Sequence, residues 1–410
     1  MTLTDPGAER APGRWRMLAL LALAELLGMS LWFSAAAAGA QLAHRWSLSL
    51  SQLGWLTAAV QFGFVAGTAV AAVLNLADIW PSRGYFAGAA ALGALANLAL
   101  LRAPHYPAAL ASRFLTGFFL AGVYPPGMKM AATWFKAWRG FAIGALVGAL
   151  TVGKALPYLV SALGGASLAD ITWATSSGGL VAALLVAGLY RDGPFPFPRR
   201  PFEWRLVSVV VRHRATRLTT AGYLGHMWEL YAMWTWVPVF LAASWAARGA
   251  ARAGGSPGLA AFSALAAGGL GCVWGGWASR RLGYARVVTL AMAASGTCAL
   301  LIGLLFGAPA WALLPALWVW GFFVVADSAQ FSAMVTEVAP GHAVGTALTL
   351  QTSVGFLLTM GSIQLVPVLV RAAGWRGSFA VLAVGPALGI AAIARLGRAP
   401  RARLDRSAGD

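Results

Sequence analysis

Six ionisable side chains stand in stretches otherwise too apolar to hold a charge without a purpose: Glu25, Arg113, Lys154, His226, Glu229 and Asp327. A charge at bilayer depth is costly, and where one occurs it usually faces a bundle interior and handles ions, protons or cargo. Glu25 and Glu229 have a carboxylate's chemistry in surroundings that penalise its charged form, which suits proton uptake and release. His226 precedes Glu229 by three residues, so on a helix the two share a face, and an imidazole beside a carboxylate is expected to relay protons. A structural reading competes for Glu25, as the partner of Arg113 in an ion pair. Lys154 must meet a carboxylate, a carbonyl or an anionic ligand. It is expected to be the counter-charge of an anionic cargo, against the alternatives of a salt bridge to Asp327 or a glutamate, or snorkelling outward. Asp327, with Ser328 and Gln330, reads as a second coupling site or a hydrogen-bonding wall.

Around these groups the sequence places aromatic residues. Trp228, Tyr231 and Trp234 form a broad stripe near Glu229, and Trp228 and Tyr231 are candidate cavity residues. Tyr124 precedes Pro125 and Pro126, a pair that must free backbone carbonyls and kink any helix containing it, as is tolerated beside a cavity. His226-x-x-Glu229 alone could be half of a metal site, but no second His or Cys pair completes it, so no metal and no cofactor are expected. Cys272 and Cys298 fall inside apolar runs and form neither a redox motif nor a disulfide framework.

The elements that position these residues follow from composition. Of 410 residues, 59% are hydrophobic and 10% charged, against about 25% charged in an ordinary soluble domain. Mean hydropathy is +0.72. A soluble enzyme, a secreted disulfide scaffold and a disordered chain are excluded, and a polytopic helical membrane protein remains, because helices satisfy their own backbone groups in lipid. With about 20 apolar residues per crossing, the chain reads as twelve spans: 17–41, 50–76, 84–102, 107–134, 140–163, 171–190, 218–243, 257–279, 285–307, 310–335, 344–370 and 378–396. Gly140, Gly144 and Gly148 in the fifth span, and Gly271 and Gly275 in the eighth, are small-residue rows that permit close helix packing.

The net charge of +18 reports orientation rather than nucleic-acid binding. With the N-terminus inside, the inner segments hold 22 Lys and Arg and the outer loops 6, so both termini are expected in the cytoplasm. The protein is expected in the inner (cytoplasmic) membrane, in contact with lipid, protons and a small-molecule substrate, and as a monomer.

The basic, proline-rich stretch 191–217 is read as a cytoplasmic linker between an N-terminal half, 1–190, and a C-terminal half, 218–410. The halves repeat. Glu25, Leu26, Met29 and Trp32 match Glu229, Leu230, Met233 and Trp236 at an offset of 204, and Gly117-Phe118-Phe119 matches Gly321-Phe322-Phe323 at the same offset. Ala142-Ile143-Gly144 resembles Ala343-Val344-Gly345, 201 residues on. Parallel repeats related by an axis along the membrane normal place a binding site near the midplane between them.

Motifs add a family resemblance. After the second span stands L-N-L-A-D-I-W-P-S-R (Leu74 to Arg83), after the eighth G-W-A-S-R-R-L-G (Gly276 to Gly283), and in the fourth Arg113-x-x-x-Gly117. Over its whole length the chain resembles the major facilitator superfamily, which carries G-x-L-A-D-R-x-G-R-R at the first of these places. The resemblance implies a fold of twelve transmembrane helices in two pseudo-symmetric six-helix halves, with spans 1, 4, 7 and 10 around the cavity. It implies a cytoplasmic gate at Asp78, Arg83 and Arg280, although Arg280 replaces the family's acid. The Gly-Pro that ends the antiporter pattern in span 5 is replaced by Gly153-Lys154. Within the superfamily GHMWELYAMW (Gly225 to Trp234), ADSAQFS (Ala326 to Ser332) and GWRGSF (Gly374 to Phe379) look most similar to the nitrate/nitrite-porter-like branch. Nitrate porters place arginines in spans 2 and 8. Here span 2 has Gln52 and Gln61 instead, so the likeness indicates kinship rather than substrate.

The expected function is therefore secondary transport of a small organic or inorganic anion by alternating access, coupled to protons. The rival within the class is an efflux pump for cationic or neutral compounds, drawing on Glu25, Glu229 and Asp327. The rival outside it, a polytopic membrane enzyme, lacks any H-E-x-x-H, G-x-S-x-G or phosphate-loop pattern.

Overall fold

The structure is a computed structural model and describes residues 11–136, 138–164, 166–195, 203–249 and 256–397, leaving aside the side chains of residues 77, 78 and 139. Asp78 therefore lies outside the described side chains. Among the described residues all regular structure is helical. Ten helices among the described residues are long and apolar enough to cross a bilayer. The two remaining crossings are spans 1 and 4, which are broken.

Span 1 consists of Arg14–Met29, Ser34–Ala37 and Gly39–Trp46. Its first break is tight. Ser30, Leu31 and Trp32 donate their N–H groups three residues back, to Leu27, Gly28 and Met29, which leaves the carbonyls of Leu31 and Trp32 needing donors from elsewhere. Span 4 consists of Tyr106–Leu120 and Tyr124–Ala132. Pro125 and Pro126 occupy the first turn of the second piece, where their missing N–H groups cost nothing. The kink expected at Tyr124-Pro125-Pro126 is there. Span 10 breaks between Ala310–Ala326 and Ser328–Val338, with Asp327 at the joint.

The other crossings are Leu50–Val73 (span 2), Ser82–Leu98 with a 3₁₀ turn to Arg102 (span 3), Arg139–Ala162 (span 5), Leu168–Leu189 (span 6), Arg214–Ala247 (span 7), Pro257–Leu282 (span 8), Tyr284–Leu301 with a 3₁₀ turn to Leu305 (span 9), Val344–Ser378 (span 11) and Val384–Gly397 (span 12). Span 11 turns at Gly374, where a φ of 67° suits a residue with no Cβ.

Packing repeats between the halves. Span 1 lies against spans 5 and 6, as span 7 lies against 11 and 12; span 2 lies against 4, as span 8 against 10. The halves meet through span 5 on span 8 and span 2 on span 11. Glycines make the first of these contacts close: a Cβ on Gly148 would lie 3.1 Å from the Gly269 carbonyl, and one on Gly269 would lie 3.2 Å from the Gly148 carbonyl. At the second contact Ser51 donates to Gln364 Oε1 at 2.7 Å and the Gln364 amide donates back to the Ser51 carbonyl at 3.3 Å.

The stretch between spans 6 and 7 is more than a linker. It contains an amphipathic helix, Trp204–Arg212, whose Leu206, Val209 and Val210 pack on Val335, Ala339, Ala343 and Ala347. Leu206 and the valines of that helix lie between Arg205 and Arg212, and the nearby prolines obscure the pattern in the composition.

Candidate functional site

Lys154 is where the two halves share a charge. Gly153 sets its height: span 5 lies so close to span 1 there that a Cβ on Gly153 would collide with the Leu26 carbonyl. From that point the Lys154 side chain crosses to the other half and donates a hydrogen bond to the Tyr231 hydroxyl on span 7. Its ammonium lies 4.1 Å from the ring centroid of Trp32, 4.8 Å from that of Tyr231 and 5.4 Å from that of Trp234. A cation within about 6 Å of an aromatic face is attracted to it. Lys154 is only 2% exposed, so aromatic faces and one hydroxyl stand in for water. The salt bridge weighed for it is not formed, although Glu25 is near enough for the two charges to interact.

Glu25 is fully buried, and neither carboxylate oxygen has a hydrogen-bond partner. Its Oε1 fills the notch left by Gly127, just past the proline pair of span 4, where a Cβ would collide with it. A buried carboxyl without donors is costly as an anion and much less so as the neutral acid. Glu25 does not pair with Arg113.

Arg113 instead repairs the break in span 1. Its Nη2 donates to the carbonyls of Leu31 and Trp32, both at 2.8 Å, and its Nη1 to Asn97 Oδ1 at 2.6 Å and Ser34 Oγ at 3.0 Å. Asn97 passes the network on, donating to Ser176 and Thr175 of span 6. The planar fork of a guanidinium matches this multi-point task. All of these groups are buried, and the arrangement is a brace rather than an open cargo cation.

In the C-terminal half the helical register misleads. His226 and Glu229 share span 7 but take different partners. His226 Nδ1 lies 2.8 Å from Asp327 Oδ1 at the break of span 10, flanked by the rings of Tyr223 and Phe331. Glu229 Oε1 accepts from the Trp320 indole at 2.6 Å and Oε2 from Ser295 at 2.8 Å. The direct His226–Glu229 relay expected from spacing is replaced by a His226–Asp327 pair, with Glu229 alongside and close enough to feel the charge of Asp327. Spacing of i, i+3 fixes a face but does not choose among partners on neighbouring helices.

The remaining candidates separate. Tyr231 is at the centre. Trp228 is not: it is half-buried and donates to the Val381 carbonyl ahead of span 12. Gln330 is buried against Gly275 of span 8, with its carbonyl oxygen unpartnered. Tyr124 is half-buried at the proline kink. Arg83 is exposed, and Arg280 stacks over Trp138, its guanidinium carbon 5.2 Å from the ring, which joins the end of span 8 to the start of span 5. Trp32, Trp320, Ser295 and Asn97 are the contacts of these groups that residue type alone does not single out. Trp32 alone carried a signal, in the repeat that pairs it with Trp236.

A family model described as Major Facilitator Superfamily matches residues 18–362. No curated protein matches the chain. Among solved structures, the nucleoside transporter NupG superimposes with a TM-score of 0.69 at 14% identity, over 93% of this chain and 99% of that one. A bacterial homologue of the human lysosomal transporter Spinster gives 0.65 at 16% identity, over 97% and 96%. The human organic anion transporter MFSD10 gives 0.67 at 15% identity, over 93% and 100%. At such identities these likenesses speak for the fold.

Proposed function

The chain belongs to the major facilitator superfamily and is a secondary transporter, and from that premise we propose that it carries a small anion by alternating access, coupled to protons. The observation that carries this reading is Lys154: a cation held between the halves by weak, replaceable partners rather than by a carboxylate. Arg113, the other Lys or Arg side chain buried within the spans among the described residues, is spent on backbone carbonyls. An anion entering between the halves would take the ammonium from the Tyr231 hydroxyl and gain a charge-assisted contact in dry surroundings. Glu25 is the proposed proton carrier. Neutral, it leaves the ammonium free for cargo; ionised, it competes for it. The His226–Asp327 pair and Glu229 form a second titratable cluster in the opposite half.

Lys154, Glu25, His226, Glu229 and Asp327 are each at most 2% exposed. This supports a closed arrangement that must open toward one side to load. The positive-inside distribution supports cytoplasmic termini and placement in the inner membrane, and the shared motifs of spans 7 and 10 support kinship with the nitrate/nitrite-porter-like branch. We take the working unit to be one chain, divided near 191–217.

One observation favours a second reading, export of organic cations: the aromatic cage that now holds an ammonium could hold a cargo ammonium in its place. Lys154→Ala separates the two. For an anion carrier, binding of the anion falls at least tenfold, measured by titration of the purified protein. For a cation carrier, an emptied cage binds quaternary ammonium compounds more tightly than wild type does.

A further inference from the structure

The box around Lys154 is built for more than a charge, and we propose that its cargo is a planar aromatic carboxylate, the ring stacked between the halves and the carboxylate on Lys154. This rests on the anion reading and narrows it. Each half contributes one wall. Trp32, Phe33 and Phe64 come from spans 1 and 2, Tyr231 and Phe356 from spans 7 and 11. Trp32 and Tyr231 have centroids 5.7 Å apart, Trp32 and Phe356 5.6 Å, and Phe33 and Tyr231 lie 6.4 Å apart with planes only 24° off parallel. Spacings of 4.5–7 Å are those of rings in favourable contact, so the walls now satisfy each other. Opening the halves breaks ring–ring contacts that only another ring replaces in kind.

The polar atoms of the box point to the same class. The indole N–H groups of Trp32 and Trp234 are buried with no hydrogen-bond partner, and so is the hydroxyl of Tyr158, whose ring lies 6.2 Å from that of Phe33. With the Lys154 ammonium the set is rich in donors. A carboxylate is acceptor-only, with about four lone-pair sites, and complements such a set. An organic cation would leave these donors unpaired and meet Lys154 as a like charge. A small inorganic anion would satisfy donors but leave both aromatic walls facing nothing. Unpaired buried donors and unfilled apolar walls each count against a ligand.

The test is ligand binding to purified, membrane-reconstituted wild-type protein, followed by tryptophan fluorescence and by thermal shift. The aromatic probes are benzoate, 2-naphthoate and indole-3-carboxylate; the comparison probes are cyclohexanecarboxylate, nitrate and benzylamine. The expected result is that at least one aromatic carboxylate binds tenfold or more tightly than cyclohexanecarboxylate, which matches benzoate in charge and nearly in size. Trp234→Phe, which keeps a ring and removes the N–H, should weaken that ligand several-fold while the unliganded protein still unfolds cooperatively. Cyclohexanecarboxylate or nitrate binding as tightly as every aromatic acid would overturn the aromatic class and leave the anion reading standing. Benzylamine binding while no acid binds would overturn both. A folded protein that binds none of the six overturns the aromatic carboxylate proposal.

Discussion

Arg113 shows at residue scale how a charge can be present in a membrane for the sake of the backbone. Breaking span 1 at Ser30–Phe33 bends the chain around the site, and two carbonyls are left for Arg113 to satisfy. Lysine cannot reproduce a fork serving four acceptors. Arg113→Lys is expected to destabilise the folded protein by about 2–4 kcal/mol, in the range for a broken buried network, measured by reversible denaturation in mixed micelles. A change within experimental error would contradict the bracing role. The sequence exposed which residues were unusual, since intramembrane charges stand out against apolar neighbours. It did not expose pairing. Arg113 looked like a partner for Glu25, and His226 like one for Glu229, because sequence reports position along a helix while partners are chosen across helices. Asn97, Ser295 and Trp320 complete those partnerships, yet none carries a charge that would set it apart.

At the scale of elements, the close approach of spans 1 and 5 is what aims Lys154. Gly153 has no room for a Cβ against the Leu26 carbonyl. Gly153→Val should push span 5 outward and withdraw the ammonium from the Trp32, Tyr231 and Trp234 rings. Transport is expected to fall at least tenfold while the protein still reaches the membrane, measured as uptake normalised to surface protein; full activity would show that the contact does not position the lysine. The break in span 4 could be read from the pair Pro125-Pro126, which removes two successive N–H donors, whereas the single prolines Pro157, Pro238, Pro315 and Pro367 lie inside continuous helices. The breaks in spans 1 and 10 could not, since Ser30–Phe33 and Asp327 contain no residue that forbids a helix. The helix Trp204–Arg212 was hidden for a related reason: its amphipathic pattern covers nine residues beside a proline run.

For the whole molecule, the order of the elements was legible because bilayer thickness imposes a ruler and the 204-residue repeat imposes a symmetry. The division of labour between the halves was not. Glu25 and Glu229 are equivalent by repeat, yet Glu25 has no hydrogen-bond partner and Glu229 has two. The proposed alternating access requires the contact between spans 2 and 11 at Ser51 and Gln364 to open and close. Joining a Ser51→Cys, Gln364→Cys pair with a short bifunctional thiol reagent should abolish transport, and a cleavable version of the reagent should restore it on reduction. Unimpaired transport in the cross-linked protein would mean that this rim does not move.

Proton coupling to the Lys154 site can be put to a single measurement in proteoliposomes. Wild-type protein and Glu25→Gln are compared for accumulation of benzoate, 2-naphthoate and nitrate, with and without an imposed pH gradient of about one unit. Wild type is expected to accumulate at least one of these anions several-fold against its own gradient when the pH gradient is present. Glu25→Gln should still exchange that anion at equal concentrations but gain nothing from the pH gradient. Accumulation by the variant that follows the pH gradient as wild type does, or wild-type transport of a genuine anion substrate that ignores it, would contradict the role assigned to Glu25 beside Lys154.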